Sequence, residues 1–333
     1  MEVVEYTEQY EKQWDEFVSN KSVNGTFLQT RNFLNYHPSG KFQDASFLVY
    51  YKGKLVAVCP ACVLQENEKK VLYSHKGSTF GGILIAKDYY KADKVIDIVQ
   101  TVDRYFEDCY HKVVLKNTSD LFCVENGSLL EYILRYCGYS DYVELSTYID
   151  LQNMYEDVTQ NFDCNKKRNI KKCEKYKLRF RELNGNDEIE KFHELLTINL
   201  TKYGVKPVHT ISELLEFRNV RIPDLVKFYG VFCDDTMMAA CMMFLFKRTQ
   251  TIHAQYISSD YHFEEYSAST YLYYKLIENA KKQGYKYLSW GISTENHGRQ
   301  LNGGLIRNKE SYGSKYALNK TFYKKYELSK DKR

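Results

Sequence analysis

Glu295, His297 and Arg299 stand two residues apart in the stretch WGISTENHGRQLNGGLIRNKESYG, which runs from Trp290 to Gly313. Carboxylates and imidazoles take protons from ammonium groups, so Glu295 and His297 are both candidate general bases. Arg299, Arg307 and Lys309 are candidate anchors for an anionic acceptor, with Trp290 and Asn296 beside them. Asn302, Gly303 and Gly304 let backbone approach a ligand closely. Blander readings stand next to each. Asn296, His297 and Gly298 also suit a helix cap, Asn302 to Gly304 a helix break, and Lys309 a solvated helix face. The stretch holds five glycines and three asparagines and lacks an apolar period in its first half, while strand and helix patterns flank it. It reads as a functional loop on a rigid frame.

Upstream, TIHAQYIS reads as a strand whose alternation puts His253 and Gln255 on one face and Ala254, Tyr256 and Ser258 on the other. His253 and Tyr256 are further candidates for proton chemistry, although a lone strand histidine is more often packed. KYLSWG is a second strand, leading directly into the glycine-rich stretch. Between them, FEEYSAS opens a helix, where Ser267 and Ser269 can donate hydrogen bonds and Glu264 and Glu265 repel an anion.

These elements repeat. A helix pair near residues 8–36, the hairpin FLVYY and LVAVCPACVL, the strand VLYSH, a helix over 92–108 and the strand KVVLK make one series. Helices at 187–201 and 211–218, the hairpin FYGVFC and MMAACMMFLF, TIHAQYIS, a helix and KYLSW make another. A shift of 182 residues lays Leu55 to Cys59 on Met237 to Cys241 and the turn Lys52, Gly53 on Asp234, Asp235. The shared order predicts a tandem duplication, with a first domain at 1–150 and a second at 151–333. Each half reads as a mixed, mostly antiparallel α/β sheet flanked by helices. A basic helix predicted over 154–177, containing NKKRNIKKCEKYK, connects them. It is either a solvated face or a phosphate-binding surface.

The remaining composition mainly excludes. The longest apolar run, Met237 to Phe246, is ten residues, far below the roughly 20 a membrane span needs. The N-terminus is acidic and amphipathic, unlike a secretory signal, so a cytoplasmic location is expected. Nine irregularly spaced cysteines read as reduced thiols, Cys59 and Cys62 included, and no metal-type spacing occurs. With 47 basic against 43 acidic residues, overall charge does not announce a nucleic-acid binder.

The order of elements, the segment NKKRNIKKCEKYKLRFRE, the strands MMAACMMFLF and HAQYI, NGTFLQTRNFLNYH near the start, and above all the stretch after Trp290 resemble the FemAB-like, tandem-domain branch of the GNAT acyltransferases, with BioF2-like acetyltransferase domains. The resemblance covers essentially the whole chain. It implies two tandem GNAT-like domains and an N-acyltransferase acting on an amine of a sugar or cell-envelope precursor in a bacterial cytoplasm. The donor is acyl-CoA or aminoacyl-tRNA; a small thioester such as acyl-CoA is favoured, as a co-substrate rather than a tightly bound cofactor. The acceptor is a small molecule or is linked to a lipid or nucleotide. A silent ligand-binding module of the same fold is the rival reading. In such a frame the acyl group lies between two splaying strands, with Gln255 and Ile257 facing the donor and Ser267 and Ser269 receiving its phosphates. The glycines usual at that helix start are replaced here by Glu264 and Glu265, and the helical-hairpin insertion of the aminoacyl-tRNA users is absent. The first half is expected to shape the acceptor side through Thr30, Arg31, His37, Thr79 and Phe80.

Overall fold

A computed structural model describes residues 1–327 except Ser39 and Tyr203. The chain forms two compact units: Met1–Glu144 with the segment from Leu318, and Leu145–Ala317. Each contains a matching hairpin. Phe47–Tyr51 and Lys54–Cys59 turn at Lys52 and Gly53, and Val226–Cys233 and Thr236–Phe246 turn at Asp234 and Asp235. Lys52, Gly53 and Asp234 take positive φ, as a tight hairpin turn requires. The duplicated hairpins keep the offset of 182 read from the sequence.

Beyond the hairpins the two copies diverge at one residue. Thr236–Phe246 runs uninterrupted, buried on both faces from Met238 onward, which is why it reads as a continuous apolar run. Its counterpart breaks at Pro60, which has no N–H for a ladder. Lys54–Cys59 therefore pairs with Phe47–Tyr51 in one sheet, whereas Cys62–Glu66 pairs with Lys69–Ser74 in another. Cys59 and Cys62 are free and buried on either side of the break.

Both units then make the same crossover. Helix Ala92–Cys109 buries Val95, Ile98, Val99, Val102 and Phe106 at helical spacing and returns the chain to Lys112–Lys116, parallel to Lys69–Ser74. Helix Ala268–Lys282 buries Leu272, Tyr273, Leu276 and Ile277 and returns it to Tyr287–Ile292, parallel to Thr251–Ser259. Among the described residues no helix is long and apolar enough to cross a membrane.

Two expected boundaries change. Strand Lys315–Lys325 pairs through residues 321–325 with Lys112–Lys116, so the described chain from Leu318 returns to the first unit instead of continuing the second. Reciprocally, strand Ser140–Asp150 begins in the first unit, and its residues 146–150 pair with Tyr287–Ile292 in the second. The basic helix spans Cys164–Glu174 rather than 154–177. Asp157 caps a separate short turn, Asp163 starts the helix by accepting from Lys166 N, and Lys177 at φ +50° ends the run. Ile170 and Cys173 are its buried positions; Arg168, Lys171, Lys172 and Lys175 are exposed.

Candidate active site

The parallel ladder between Thr251–Ser259 and Tyr287–Ile292 has three pairs, ending at His253 and Ser289. Past that pair the strands part. The adjoining ladders are irregular at the same level: pairing with Thr236–Phe246 skips Gln255, and pairing with Ser140–Asp150 skips Trp290. Each is a β-bulge, which bends its strand and increases the local twist. Two bulges on opposite sides of one split make a fork whose inner backbone groups have no strand across from them. Helix Ala268–Lys282 begins at the open end of this fork, because it follows the first strand and runs back to the start of the second.

The bulge at Gln255 also reverses the facing expected from strict alternation. Ala254 and Ile257 pack into the core with Leu272 and Ile277. Tyr256 stands opposite Met242 and His253 opposite Phe244, so these two share the other face, toward helices Asn186–Thr201 and Ile211–Glu216. There the Tyr256 hydroxyl lies 2.6 Å from His209 Nδ1. Burial raises the Tyr256 hydroxyl to about 12, so it stays protonated at neutral pH. His253 Nδ1 lies 3.1 Å from Ser289 Oγ, and burial, with a smaller push from the Lys309 charge, lowers its imidazole to about 4. His253 is therefore neutral at neutral pH.

Lys309 is the least expected residue here. A solvated helix face was one reading of it, yet it is 3% exposed. Its ammonium donates to Gly291 O at 3.0 Å, Ile292 O at 2.9 Å and Ser293 Oγ at 2.9 Å. Three donors meet three acceptors, so the charge is fully hydrogen-bonded without a carboxylate. Burial lowers its amine to about 8. The residue pins the strand just past the fork, where Gly291 takes φ +73° and a Cβ would approach His253 Cε1 to 3.3 Å.

On the opposite face Trp290, Tyr273 and Tyr312 form an aromatic run, with ring centroids 4.8 and 4.9 Å apart. Lys166, from the basic helix, lies 4.7 Å from the Tyr312 ring and donates to Asn308 Oδ1 at 2.8 Å. Trp290 is 5% exposed, and its indole Nε1–H has no hydrogen-bond partner.

At the donor end, Ser267 takes φ +53° before the helix and makes no side-chain cap bond; Ser269 follows in the first turn. Glu264 and Glu265 sit exposed in the preceding turn. Cys173 of the basic helix points its thiol at the carbonyls of Tyr266 and Ser267, at 3.3 and 3.6 Å.

The loop residues are more dispersed. Glu295 lies on a two-stranded hairpin, Thr294–Glu295 with Gln300–Leu301, and its Oε1 accepts from Asn302 Nδ2 at 3.0 Å. Asn302 also caps helix Gly303–Glu310 through Leu305 N. Asn296 and His297 form the hairpin turn with positive φ, and Asn296 Nδ2 donates to Gln300 Oε1. Arg299 and Arg307 are exposed. In the first unit, Arg31 is 1% exposed, pairs with Asp44 and stacks at 3.5 Å over Tyr6 and 4.6 Å over Trp14. Thr30 caps helix Arg31–Leu34, Phe80 packs on Phe122, and His37 stacks beside Tyr36, Phe42 and His75. All of these contacts lie within the first unit.

The first unit's own fork is filled by its chain. Lys69–Ser74 and Lys112–Lys116 pair as far as Ser74 and Leu115, after which the loop from His75 to Gly82 folds back. Gly81 N donates to Lys116 O at 2.8 Å; Ser74 Oγ accepts from Gly82 N at 2.9 Å and Lys116 N at 3.1 Å. A Cβ on Gly81 would lie 1.8 Å from Ser74 O, so only glycine fits. Elsewhere in the second unit, a groove of about 980 Å³ is bordered by Glu156, Phe180, Tyr271 and Lys275, and no fork residue lines it.

The sequence reading missed His209 altogether. It precedes Thr210, which caps helix Ile211–Glu216 with Glu213 in a capping box, and that pattern is a legible local signal. Nothing in the sequence links it to Tyr256, 47 residues on.

Residues 161–299 match the acetyltransferase (GNAT) domain family. No curated protein matches the chain. Among solved structures, FemX superposes with a TM-score of 0.68 at 11% identity, over 97% of each chain. The structure of L-PGS from Bacillus licheniformis gives 0.59 at 11% identity, over 95% of this chain and 91% of that one. A tandem GNAT protein from the clavulanic acid biosynthesis pathway gives 0.55 at 9% identity, over 97% and 98%. At these identities the structural likeness establishes the fold: tandem GNAT-type, FemAB-like.

Proposed function

We propose that this GNAT-superfamily acyltransferase moves an acyl group from a thioester donor to a primary amine of a sugar or cell-envelope precursor. The observation that carries the reading is the fork, split at His253 and Ser289 and bracketed by bulges at Gln255 and Trp290. An acyl-thioester arm lying between the strands places its carbonyl against backbone past the split. Backbone N–H groups there stabilise the oxyanion that forms as the amine attacks. The amine enters from the face of Tyr256 and His209. Attack forms the C–N bond, the C–S bond breaks, and the thiolate leaves with a proton. Lys309 holds the carbonyls of Gly291 and Ile292 fixed and adds a positive charge beside the site, which favours the anionic intermediate. The exposed hairpin carrying Glu295 and His297, with Arg299 beside it, holds the acceptor.

The test is incubation of the full chain with acetyl-CoA and longer acyl-CoAs against a panel of amino sugars, reading released CoA and acylated amine by mass spectrometry. Amine-dependent CoA release is expected. Neither release nor thermal stabilisation by any acyl-CoA would overturn the thioester reading. One observation favours a second donor, aminoacyl-tRNA. Glu264 and Glu265 are exposed in the turn just before helix Ala268–Lys282, while Arg168, Lys171, Lys172 and Lys175 are exposed on a helix packed against that helix. Aminoacyl transfer from charged tRNA, steeply weakened by salt, would select it.

A further inference from the structure

The Tyr256 hydroxyl meets a histidine that is distant in sequence, His209. His209 Nδ1 lies 2.6 Å from it, and the two rings meet edge to face at 5.7 Å and 74°. His209 is 6% exposed, and its position is fixed from three sides. Its carbonyl lies 3.1 Å from His193 Nε2, on helix Asn186–Thr201. Its ring stacks edge-on to Phe217 at 5.2 Å. Its successor, Thr210, is locked into the capping box with Glu213. A clamp on backbone and ring leaves the imidazole little rotational freedom, so the short contact to the phenol is preorganised.

A phenol that keeps its proton at neutral pH can donate it to the imidazole nitrogen 2.6 Å away, and that is the direction the relay below uses. Nδ1 is then the acceptor and Nε2 carries the ring proton. The charged and titratable groups packed around the pair are Glu213 on helix Ile211–Glu216, His193 on helix Asn186–Thr201, and Tyr256 itself on the strand. Glu213 is 8% exposed, and its carboxylate accepts from Thr210 N at 2.7 Å and from Thr210 Oγ1 at 3.2 Å.

We propose that His209 is the proton acceptor of the transfer reaction, acting through Tyr256. As the amine attacks the acyl carbonyl, its N–H proton passes to the Tyr256 oxygen while the Tyr256 proton passes to His209 Nδ1. The C–N bond forms, the C–S bond breaks, and the imidazolium returns its proton through the same hydroxyl to the leaving thiolate. Tyr256 is neutral before and after, and no other reactant is consumed. Tyr256 is the catalytic residue that touches the substrate, and His209 is a positioning residue that also stores the proton. The inference rests on the acyl-transfer reading above.

Three variants of the full chain separate relay from scaffold: His209→Gln, His209→Ala and Tyr256→Phe. Gln keeps an acceptor for the hydroxyl but has no basic nitrogen. With acetyl-CoA and the best amine of the panel, kcat is expected to fall about 100-fold or more in all three, with KM for acetyl-CoA unchanged. The double variant Tyr256→Phe/His209→Gln falls no further than either single one, and the acid limb of the kcat–pH profile disappears. Recovery of kcat in His209→Gln, or additive losses in the double variant, would overturn the relay while leaving acyl transfer standing. Failure of the wild type to turn over any thioester would instead remove the acyl-CoA reading. The relay would still be read from the chain with 15N-labelled histidine. The resonance lost in His209→Gln should show the Nε2–H tautomer with a hydrogen-bonded Nδ1 that changes in Tyr256→Phe; an Nδ1–H tautomer would refute it.

Discussion

Replacing Lys309 with Met tests whether a buried ammonium without a carboxylate partner sets the energetics of the fork. Burial lowers the amine from 10.5 to about 8 in the folded chain, while the unfolded chain keeps the ordinary value. Between those two pH values the unfolded state binds the proton and the folded state does not, so stability rises with pH through this window. The difference between about 8 and 10.5, at about 1.4 kcal/mol per pH unit, amounts to about 3 kcal/mol. Below pH 8 the charged Lys309 carries that cost, offset by its bonds to Gly291 O, Ile292 O and Ser293 Oγ. Urea unfolding of wild type and Lys309→Met, measured every half unit from pH 7 to 10.5, isolates the effect because other groups titrate alike in both. The wild-type-minus-variant difference should climb by about 3 kcal/mol across the window. A flat difference would refute the reasoning, since the amine would then ionise as in water. Turnover gives a second readout: the variant loses the clamp on the strand after the fork, and kcat should fall at every pH.

Other outcomes follow from the same geometry. Trp290→Phe keeps the ring against Tyr273 but removes an unpartnered N–H, so calorimetric stability should change by less than about 1 kcal/mol, while donor KM rises if the N–H is used by bound donor. Glu264→Gln with Glu265→Gln should tighten acetyl-CoA binding about 3- to 30-fold by titration calorimetry, because each charge costs an anion at the helix start about 0.3–1 kcal/mol; the gain should shrink with salt. Native mass spectrometry should find one acyl-CoA per chain, because the first unit's fork is already filled.

Much of the architecture was legible because it is written in local patterns. The hairpin turns at Lys52–Gly53 and Asp234–Asp235, the apolar strand Thr236–Phe246 and the helix before Tyr287 are set by neighbours in sequence, and the two hairpins recur 182 residues apart. The return of Lys315–Lys325 to the first unit was not legible, since strand partners are chosen by long-range packing. At the site, alternation assigned Tyr256 the wrong face because a single bulged residue, Gln255, resets the period without any compositional mark. Lys309 reads as surface because lysine usually is; its burial depends on carbonyls from a separate strand. His209 escaped notice because a histidine becomes significant here only through a phenol distant in sequence.

The filled fork of the first unit acts as an internal specimen of occupancy. There a turn-rich loop folds back past the last strand pair, giving one N–H to a strand carbonyl and another to a serine hydroxyl. A slot that peptide can satisfy is complementary to a narrow chain bearing amides at intervals. Among the described residues no comparable loop bonds the backbone of the second unit's fork past His253 and Ser289. Donor binding to the second unit should therefore raise its unfolding temperature, and the first unit should gain nothing directly from the same compound.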